Sequence, residues 1–380
     1  MRSTLPGFLA LALFLTTAPA HAYLQIFPQA ATELEGPSEL HGIFSDGFDA
    51  FTVFASTSQT SGYITKFDGS SHTSAVASTT WNATGFGPLA ASPGSGVYTN
   101  RGQRGGHSQT LLFIINPITD RAYQFSLFDT PATTSSIRLE WPVIFPDPGN
   151  IIDLTDASAI LTDSRSFSVG AVLTQDSNGN IIAGLSGPIV QRTSQQILNA
   201  TGSDQISAMT YAFDPELQRN AGFGDLFVWA SDETNELYIA NSNNTDDIDT
   251  LLPAADLLAH TNETSAAFSL LFFGGDDLLY FNDLVSQAIY RLDPLAPNPA
   301  DTLETILTRD QLLAGPAATT DITNFTWHND TLAWAVATGP NPGFYQLPEP
   351  TSAFAFLLLT GLTCRRAIPK NAGMPCADYR

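Results

Sequence analysis

The stretch from Gly224 to Asp293 constrains the fold most, because one pattern occurs in it twice without a gap. The first copy, GDLFVWASDETNELYIANS, begins at Gly224, and the second, DDLLYFNDLVSQAIYRLD, begins at Asp276. Asp225 falls on Asp277, Leu226 on Leu278, Trp229 on Phe281 and Tyr238 on Tyr290, all at a spacing of 52. Each copy is an apolar β-type run, a polar turn and a second run carrying a tyrosine. That is a hairpin, and a hairpin at a fixed period is a repeat architecture. The pattern continues outward, with Tyr345 at 55 beyond Tyr290 and Ile182 at 56 before Tyr238. Tyr123 lies 59 before Ile182, and Tyr63 lies 60 before Tyr123. Six hairpins over Phe51 to Leu347 leave room for about four short strands per unit, the size of a propeller blade. The expected fold class is all-β, a six-bladed β-propeller. A β-sandwich also spaces its strands regularly, but it does not account for a gapless pair.

Blade by blade, the strands expected are Phe51 to Ser56 and Gly62 to Asp68, then Leu111 to Asn116 and Ala122 to Asp129. Phe167 to Thr174 and Ile181 to Leu185 form the weakest unit. The clearest strands follow, Asp225 to Asp232 with Glu236 to Ser242, and Asp277 to Asp283 with Ala288 to Asp293. The last blade uses Thr323 to His328, Thr331 to Ala337 and Gly343 to Leu347 and lacks a fourth strand. An unpaired edge there would expose a row of backbone donors and acceptors. The β-prone segment Leu24 to Phe27 belongs to no hairpin, so it is expected to pair with Gly343 to Leu347. Within the long connection Trp81 to Gly106, a strand is expected at Gly96 to Asn100. Long helical periodicity is absent; only Asp256 to Leu258 and Asp310 to Leu313 suggest short turns. The order of strands and turns in the last three units resembles NHL-type six-bladed propellers, a likeness that implies architecture and carries no catalytic residue.

Both ends of the chain read as addresses. Met1 to Ala22 has Arg2, a short apolar stretch from Gly7 to Leu15 and small residues at Ala20 and Ala22. That is the form of a secretory signal, with cleavage expected before Tyr23. At the other end, Pro348-Glu349-Pro350 precedes the apolar run Ala353 to Leu362 and then Arg365-Arg366. This tripartite tail resembles the PEP-CTERM sorting signal of exported bacterial proteins. The resemblance implies exosortase-type sorting machinery as a partner and an address at the cell surface, outer envelope or extracellular matrix. As a helix, residues 353–364 would span about 18 Å against a hydrocarbon core of about 30 Å. Transient membrane contact is therefore expected of them. The chain also runs on for 14 residues past the arginines, where the family usually ends. The division expected is 1–22 signal peptide, 23–347 propeller, 348–366 sorting signal with a short apolar helix, and 367–380 tail.

Chemistry-bearing motifs are sparse. Net charge is −22, which argues against nucleic acid because its phosphates would be repelled. Both cysteines, Cys364 and Cys376, lie in the tail, so the propeller has no disulfide. His41, His72, His107, His260 and His328 share no metal-ligand spacing. Asn178-Gly179 reads as a type I′ hairpin turn and not as part of a calcium loop. Asp246-Asp247-Ile248-Asp249 and Asp276-Asp277 read as solvated loop charge, with a divalent cation or a carboxylate pair as the sharper alternative. No catalytic, cofactor or metal residue is assigned from the sequence. The leading expectation is a non-enzymatic exported propeller that binds a glycan or a surface protein across one face. The alternative is a secreted hydrolase, lyase or lactonase with acidic residues at one channel mouth.

Overall fold

The computed structural model describes residues 23–348 except 57–60, 93–94, 101–108, 120, 128–136, 140–158, 162–170, 176–177, 185–188, 212–225 and 242–246. The chain divides into two compact units, Met1–Leu347 and Pro348–Arg380. The expected signal peptide and apolar tail helix lie outside the described residues. Among the described residues, no helix is long and apolar enough to cross a membrane.

Among the described residues, twenty-four strands make six four-stranded antiparallel sheets. After β1 (Leu24–Pro28), the first sheet holds β2 (Ser38–Ser45), β3 (Ala50–Ser56), β4 (Gly62–Phe67) and β5 (His72–Val76). The second holds β6 (Gly96–Asn100), β7 (Gln109–Asn116), β8 (Arg121–Ser126) and β9 (Ile137–Leu139). The third holds β10 (Ala159–Leu161), β11 (Ala171–Gln175), β12 (Ile181–Gly184) and β13 (Ile189–Arg192). The fourth holds β14 (Ala208–Tyr211), β15 (Leu226–Ser231), β16 (Glu236–Asn241) and β17 (Ile248–Leu252). The fifth holds β18 (Phe268–Phe273), β19 (Leu279–Asp283), β20 (Ala288–Leu292) and β21 (Glu304–Leu307). The sixth is built from β22 (Asn324–His328), β23 (Thr331–Val336), β24 (Gly343–Gln346) and β1, in the order β1-β24-β23-β22. Sequential meanders of this kind, packed face to face, make a β-propeller.

Five sheet-to-sheet junctions have an apolar core among the described residues: first to second, third to fourth, fourth to fifth, fifth to sixth, and sixth back to first. The last of these closes the ring. Leu24 pairs with Gln346, Gln25 with Tyr345, Phe27 with Phe344 and Pro28 with Gly343, as the unpaired edge of β24 required. Pro28 has no N–H to extend the ladder and ends the strand. Tyr23, just before this strand, is fully buried and donates its hydroxyl to Leu312 O at 2.9 Å. Its ring meets Trp334 and Tyr345 edge-on at 5.0 and 5.6 Å. A Cβ at Gly315 would lie 2.2 Å from that ring, so only glycine lets the two segments approach.

The repeat itself is a register. Phe54 pairs with Tyr63, Ile114 with Tyr123, Thr174 with Ile182, Trp229 with Tyr238, Phe281 with Tyr290 and Trp334 with Tyr345. The tyrosine hydroxyls reach back four residues into their own turns. Tyr123 meets Thr119 Oγ1 at 3.1 Å, Tyr238 donates to Thr234 Oγ1 at 2.9 Å, and Tyr290 donates to Ser286 Oγ at 2.9 Å. Tyr345 does the same with the Asn341 carbonyl. Burial pushes the Tyr238 and Tyr345 hydroxyls up to about 12, so they stay protonated and keep donating.

Among the described residues there are four α-helices, more than the two short turns the sequence suggested. They are α1 (Ser78–Thr84), α2 (Ser194–Thr201), α3 (Ala254–Thr261) and α4 (Arg309–Ala314), and each follows a fourth strand. At six to eight residues they are too short for periodicity to reveal. Each lowers one apolar residue into a junction: Trp81, Ile197, Leu257 and Leu312 are buried. Capping boxes at Thr193/Gln196 and Thr308/Gln311 start two of them.

Candidate functional site

In an antiparallel meander, the first-to-second-strand turns lie on one face and the second-to-third-strand turns on the other. Among the described residues, the first-to-second connections are 46–49, 274–278 and 329–330. These turns bring an exposed aromatic onto backbone fixed by hydrogen bonds, and loops on a rigid scaffold are where ligands are met. This rim of turns forms the candidate site.

Its described part covers the fifth, sixth and first sheets. Asn329 and Asp330 have φ of 48° and 57°, the two-residue hairpin turn that needs left-handed backbone at both positions. The neighbouring turn, 46–49, is held from all sides. Asp46 Oδ1 accepts from the N–H groups of Phe48 (3.0 Å) and Asp49 (2.8 Å), and Gly47 N–H donates to Ser45 Oγ at 3.0 Å. Gly47 bridges His328, and Asn329 N–H donates to Gly47 O at 3.1 Å. On this fixed turn Phe48 is 58% exposed. Lys66 pairs with Asp49 at 2.8 Å.

Below the turn, Ser45 Oγ and His328 Nδ1 lie 2.8 Å apart, and Ser45 N–H donates to Thr326 Oγ1 at 3.1 Å. Burial pulls the His328 imidazole below its usual value, while Asp46 and Asp49 act in the opposite sense. Gly47 N–H already donates to Ser45 Oγ, so this serine–histidine contact stitches two sheets together. On the other flank, Trp327 lies across Gly274 and Gly275, where added Cβ atoms would come within 2.8 and 2.5 Å of the indole. Tyr280 packs 6.1 Å from Trp327 and donates to Asp276 Oδ2 at 2.7 Å. Burial is the main cause of its raised pKa.

The residues singled out in the sequence are scattered over the fold. Asp276 accepts from Leu278 N–H, and Asp277 takes a φ of 63° in the same turn, so this pair shapes a hairpin. Asp249 sits on the outer strand β17, opposite Ile239, and Asp246 lies outside the described residues. Asn178-Gly179 belongs to a five-residue loop between the paired Gln175 and Ile181, not to a two-residue type I′ turn. Among the histidines, His328 alone lies at the rim centre; His41 and His72 are on the first sheet, His260 is on α3, and His107 is not described. Tyr23, expected as the first residue after cleavage, is the buried plug described above. Pro348 is the last described residue; Ala20, Ala22, Glu349, Pro350, Arg365 and Arg366 lie outside the described set. Phe48 and Trp327 were missed, since a lone aromatic beside a turn carries no signal in one sequence. Among the described residues, no three of His, Cys, Asp and Glu converge in a way that could hold a metal ion.

No protein-family model matches this chain, and no curated protein matches it in sequence. Solved structures are similar in fold. The PQQ-bound aldose sugar dehydrogenase of Streptomyces coelicolor has a TM-score of 0.46 at 11% identity, covering 86% of this chain and 99% of that one. A structure of the nidogen/laminin complex gives 0.43 at 12%, covering 72% and 82%. A catalytically inactive virginiamycin B lyase from Staphylococcus aureus, with quinupristin, gives 0.42 at 11%, covering 86% and 98%. Enzymes and binding proteins stand side by side among them, and no site residue is carried over from any.

Proposed function

We propose that this chain is an exported six-bladed propeller acting as a non-enzymatic binding or scaffold protein at the cell surface or in extracellular polymer. Its ligand, a glycan or a surface protein, binds on the rim of first-to-second-strand turns. The turn 46–49 carries this reading: hydrogen bonds to Asp46 and Ser45 fix it, it is tied to the turn of the sixth sheet through Gly47 and Asn329, and it holds Phe48 exposed. The rim carboxylates support binding over hydrolysis. Asp46 and Asp276 accept hydrogen bonds from their own turns, and Asp49 is paired with Lys66. In this reading the signal peptide exports the chain, and the Pro348–Arg366 tail hands it to exosortase-type machinery. The clasp of β1 on β24 brings Leu24 opposite Gln346.

The test combines two variants. The loop variant Phe48→Ala is expected to abolish binding to the host's extracellular polymer while the melting temperature stays unchanged. Deleting residues 349–380 is expected to release the protein into the medium with polymer binding intact. If the loop variant binds as well as the full chain, the rim is not the binding face; if the tail variant stays at the surface, the tail is not its address.

A further inference from the structure

One cross-strand row of the first sheet has the wrong chemistry for an interior. Ile43 pairs with Thr52, Thr52 with Thr65, and Thr65 with Ser74. Thr52 and Thr65 alternate with Ala50, Phe54, Tyr63 and Phe67, which pack in the core shared with the sixth sheet, so they face that sheet. Both threonines are 1% exposed, yet neither hydroxyl has a hydrogen-bond partner, and nor does the buried Ser74 Oγ. At the inner end of the row, Asn324 of the sixth sheet donates its side-chain N–H to Ile43 O. Its Oδ1 is likewise buried without a partner. Four orphan polar atoms therefore mark successive positions from the inner strand to the outer one. The sixth sheet brings the fully buried Ala333, Ala335 and Phe344 to this junction, side chains with no polar atom to offer.

Buried hydroxyls in native proteins are almost always hydrogen-bonded, to protein or to ordered water. Directly opposed residues of neighbouring strands stand about 5 Å apart, a gap that one water spans with two hydrogen bonds of about 2.8 Å. We infer that the junction of the sixth and first sheets holds a file of ordered water molecules, bridging Asn324 Oδ1, Thr52 Oγ1, Thr65 Oγ1 and Ser74 Oγ. The site is separate from the rim and from any ligand bound there. Its occupant is water because the row offers only hydroxyls and an amide oxygen, set among apolar side chains, and none of the four orphan groups is charged.

The experiment is water-to-methyl cross-relaxation in the full chain with labelled threonine methyls, paired with a high-resolution crystal structure. Expected are long-lived water contacts at the Thr52 and Thr65 methyls, and solvent density between their hydroxyls. The Thr52→Val/Thr65→Val double variant should fold and lose the solvent density between the two positions. Thr52→Ser, which keeps the hydroxyl, should retain the density. A wild-type structure with no solvent between Thr52 and Thr65, and no water contact at either methyl, would overturn the inference.

Discussion

The junction between the fourth and fifth sheets and the junction between the sixth and first do the same job with different materials. The first has an apolar centre, where Val228, Ala230, Leu237, Leu252 and Leu257 meet Phe268, Leu279, Phe281 and Tyr290, and its polar bonds, Phe268 N–H to Asp232 Oδ1 and Ala266 N–H to Asn235 Oδ1, lie at its margin. None of the orphan polar atoms found at the closing junction occurs among its described residues. The second mixes Phe27, Phe54, Ala333, Ala335 and Phe344 with orphan hydroxyls and the Ser45–His328 and Thr326–Ser45 stitches. Consecutive sheets find each other through a short connection, whereas the closing pair must join chain segments about three hundred residues apart. Loop-closure entropy grows with that separation, though slowly. The closing junction answers with directional bonds at its inner strand and a borrowed fourth strand at its outer edge. Apolar burial holds the one junction, and pairing specificity holds the other.

The largest way to break this comparison is to remove the borrowed strand. Deleting residues 23–28 takes away Tyr23, Phe27 and a ladder at once, and leaves β24 as an open edge. The expected outcome is loss of the cooperative monomer, seen as a lost thermal transition and as larger species in size-exclusion chromatography. Phe27→Ala alone should cost about 3–5 kcal/mol, as buried phenylalanines do. Phe281→Ala should cost a similar amount in the apolar junction while the protein stays monomeric. Should the deletion melt like the full chain, the clasp would be ornamental.

Much of this contrast could be read in the sequence. The hairpins were legible because Tyr123, Tyr238, Tyr290 and Tyr345 recur where a turn is latched from within the same hairpin, with Tyr63 at the matching register position. Local logic leaves a local pattern. The closure was legible from bookkeeping of strands: β24 needed a neighbour, and Leu24 to Phe27 had none. The strand at Gly96–Asn100 was found on the same grounds. Two of the helices showed in the sequence only as short turns, at Asp256 to Leu258 and Asp310 to Leu313, and those at Ser78–Thr84 and Ser194–Thr201 were not legible, being too short for a period to show. Nor was the rim. Phe48 and Trp327 owe their setting to Asp46, Gly274 and Gly275, and only the fold brings the turns of three sheets together. The orphan row at Thr52 and Thr65 looks in sequence like any β-prone threonine.

Acid should separate the two junctions next. His72 and His328 both belong to the closing junction, where His72 packs against Phe27 and His328 bonds Ser45. Burial holds both imidazoles below their ordinary value of about 6.5, with Asp68 acting against the shift at His72 and Asp46 and Asp49 at His328. A histidine depressed in the folded state binds its proton more readily when unfolded. Its contribution is therefore complete above about pH 6.5 and is lost as pH falls from there toward the folded value. Melting temperature measured from pH 8 to pH 5.5 should decline over the lower part of that range. His328→Asn, which retains a hydrogen-bonding group toward Ser45, should flatten the decline. An equally steep profile in the variant would remove His328 from the account.

The smallest effect compares one hydroxyl at each junction. Tyr290 belongs to the apolar core, and its hydroxyl donates to Ser286, four residues away in its own turn. Tyr63 belongs to the closing core, but its hydroxyl donates to Gly36 O at 3.1 Å and receives Ser38 Oγ at 3.3 Å. Gly36 and Ser38 stand between β1 and the body of β2, so this hydroxyl fastens the connector that leads out of the clasp. Removing the hydroxyl in either place forfeits one net hydrogen bond, about 0.5–1.5 kcal/mol. Tyr290→Phe leaves Ser286 bonded to Asp283 Oδ2 at 2.5 Å, so its cost should fall at the low end. Tyr63→Phe leaves the Gly36 carbonyl with Ser38 Oγ alone, at 3.2 Å, and loosens a segment that β1 depends on, so its cost should fall at the high end. Chemical denaturation with unchanged m-values would measure both. Hydrogen exchange at the β1 amides would then show whether Tyr63→Phe acts through the clasp. Faster exchange there, with Tyr290→Phe leaving it unchanged, is the outcome this reading requires.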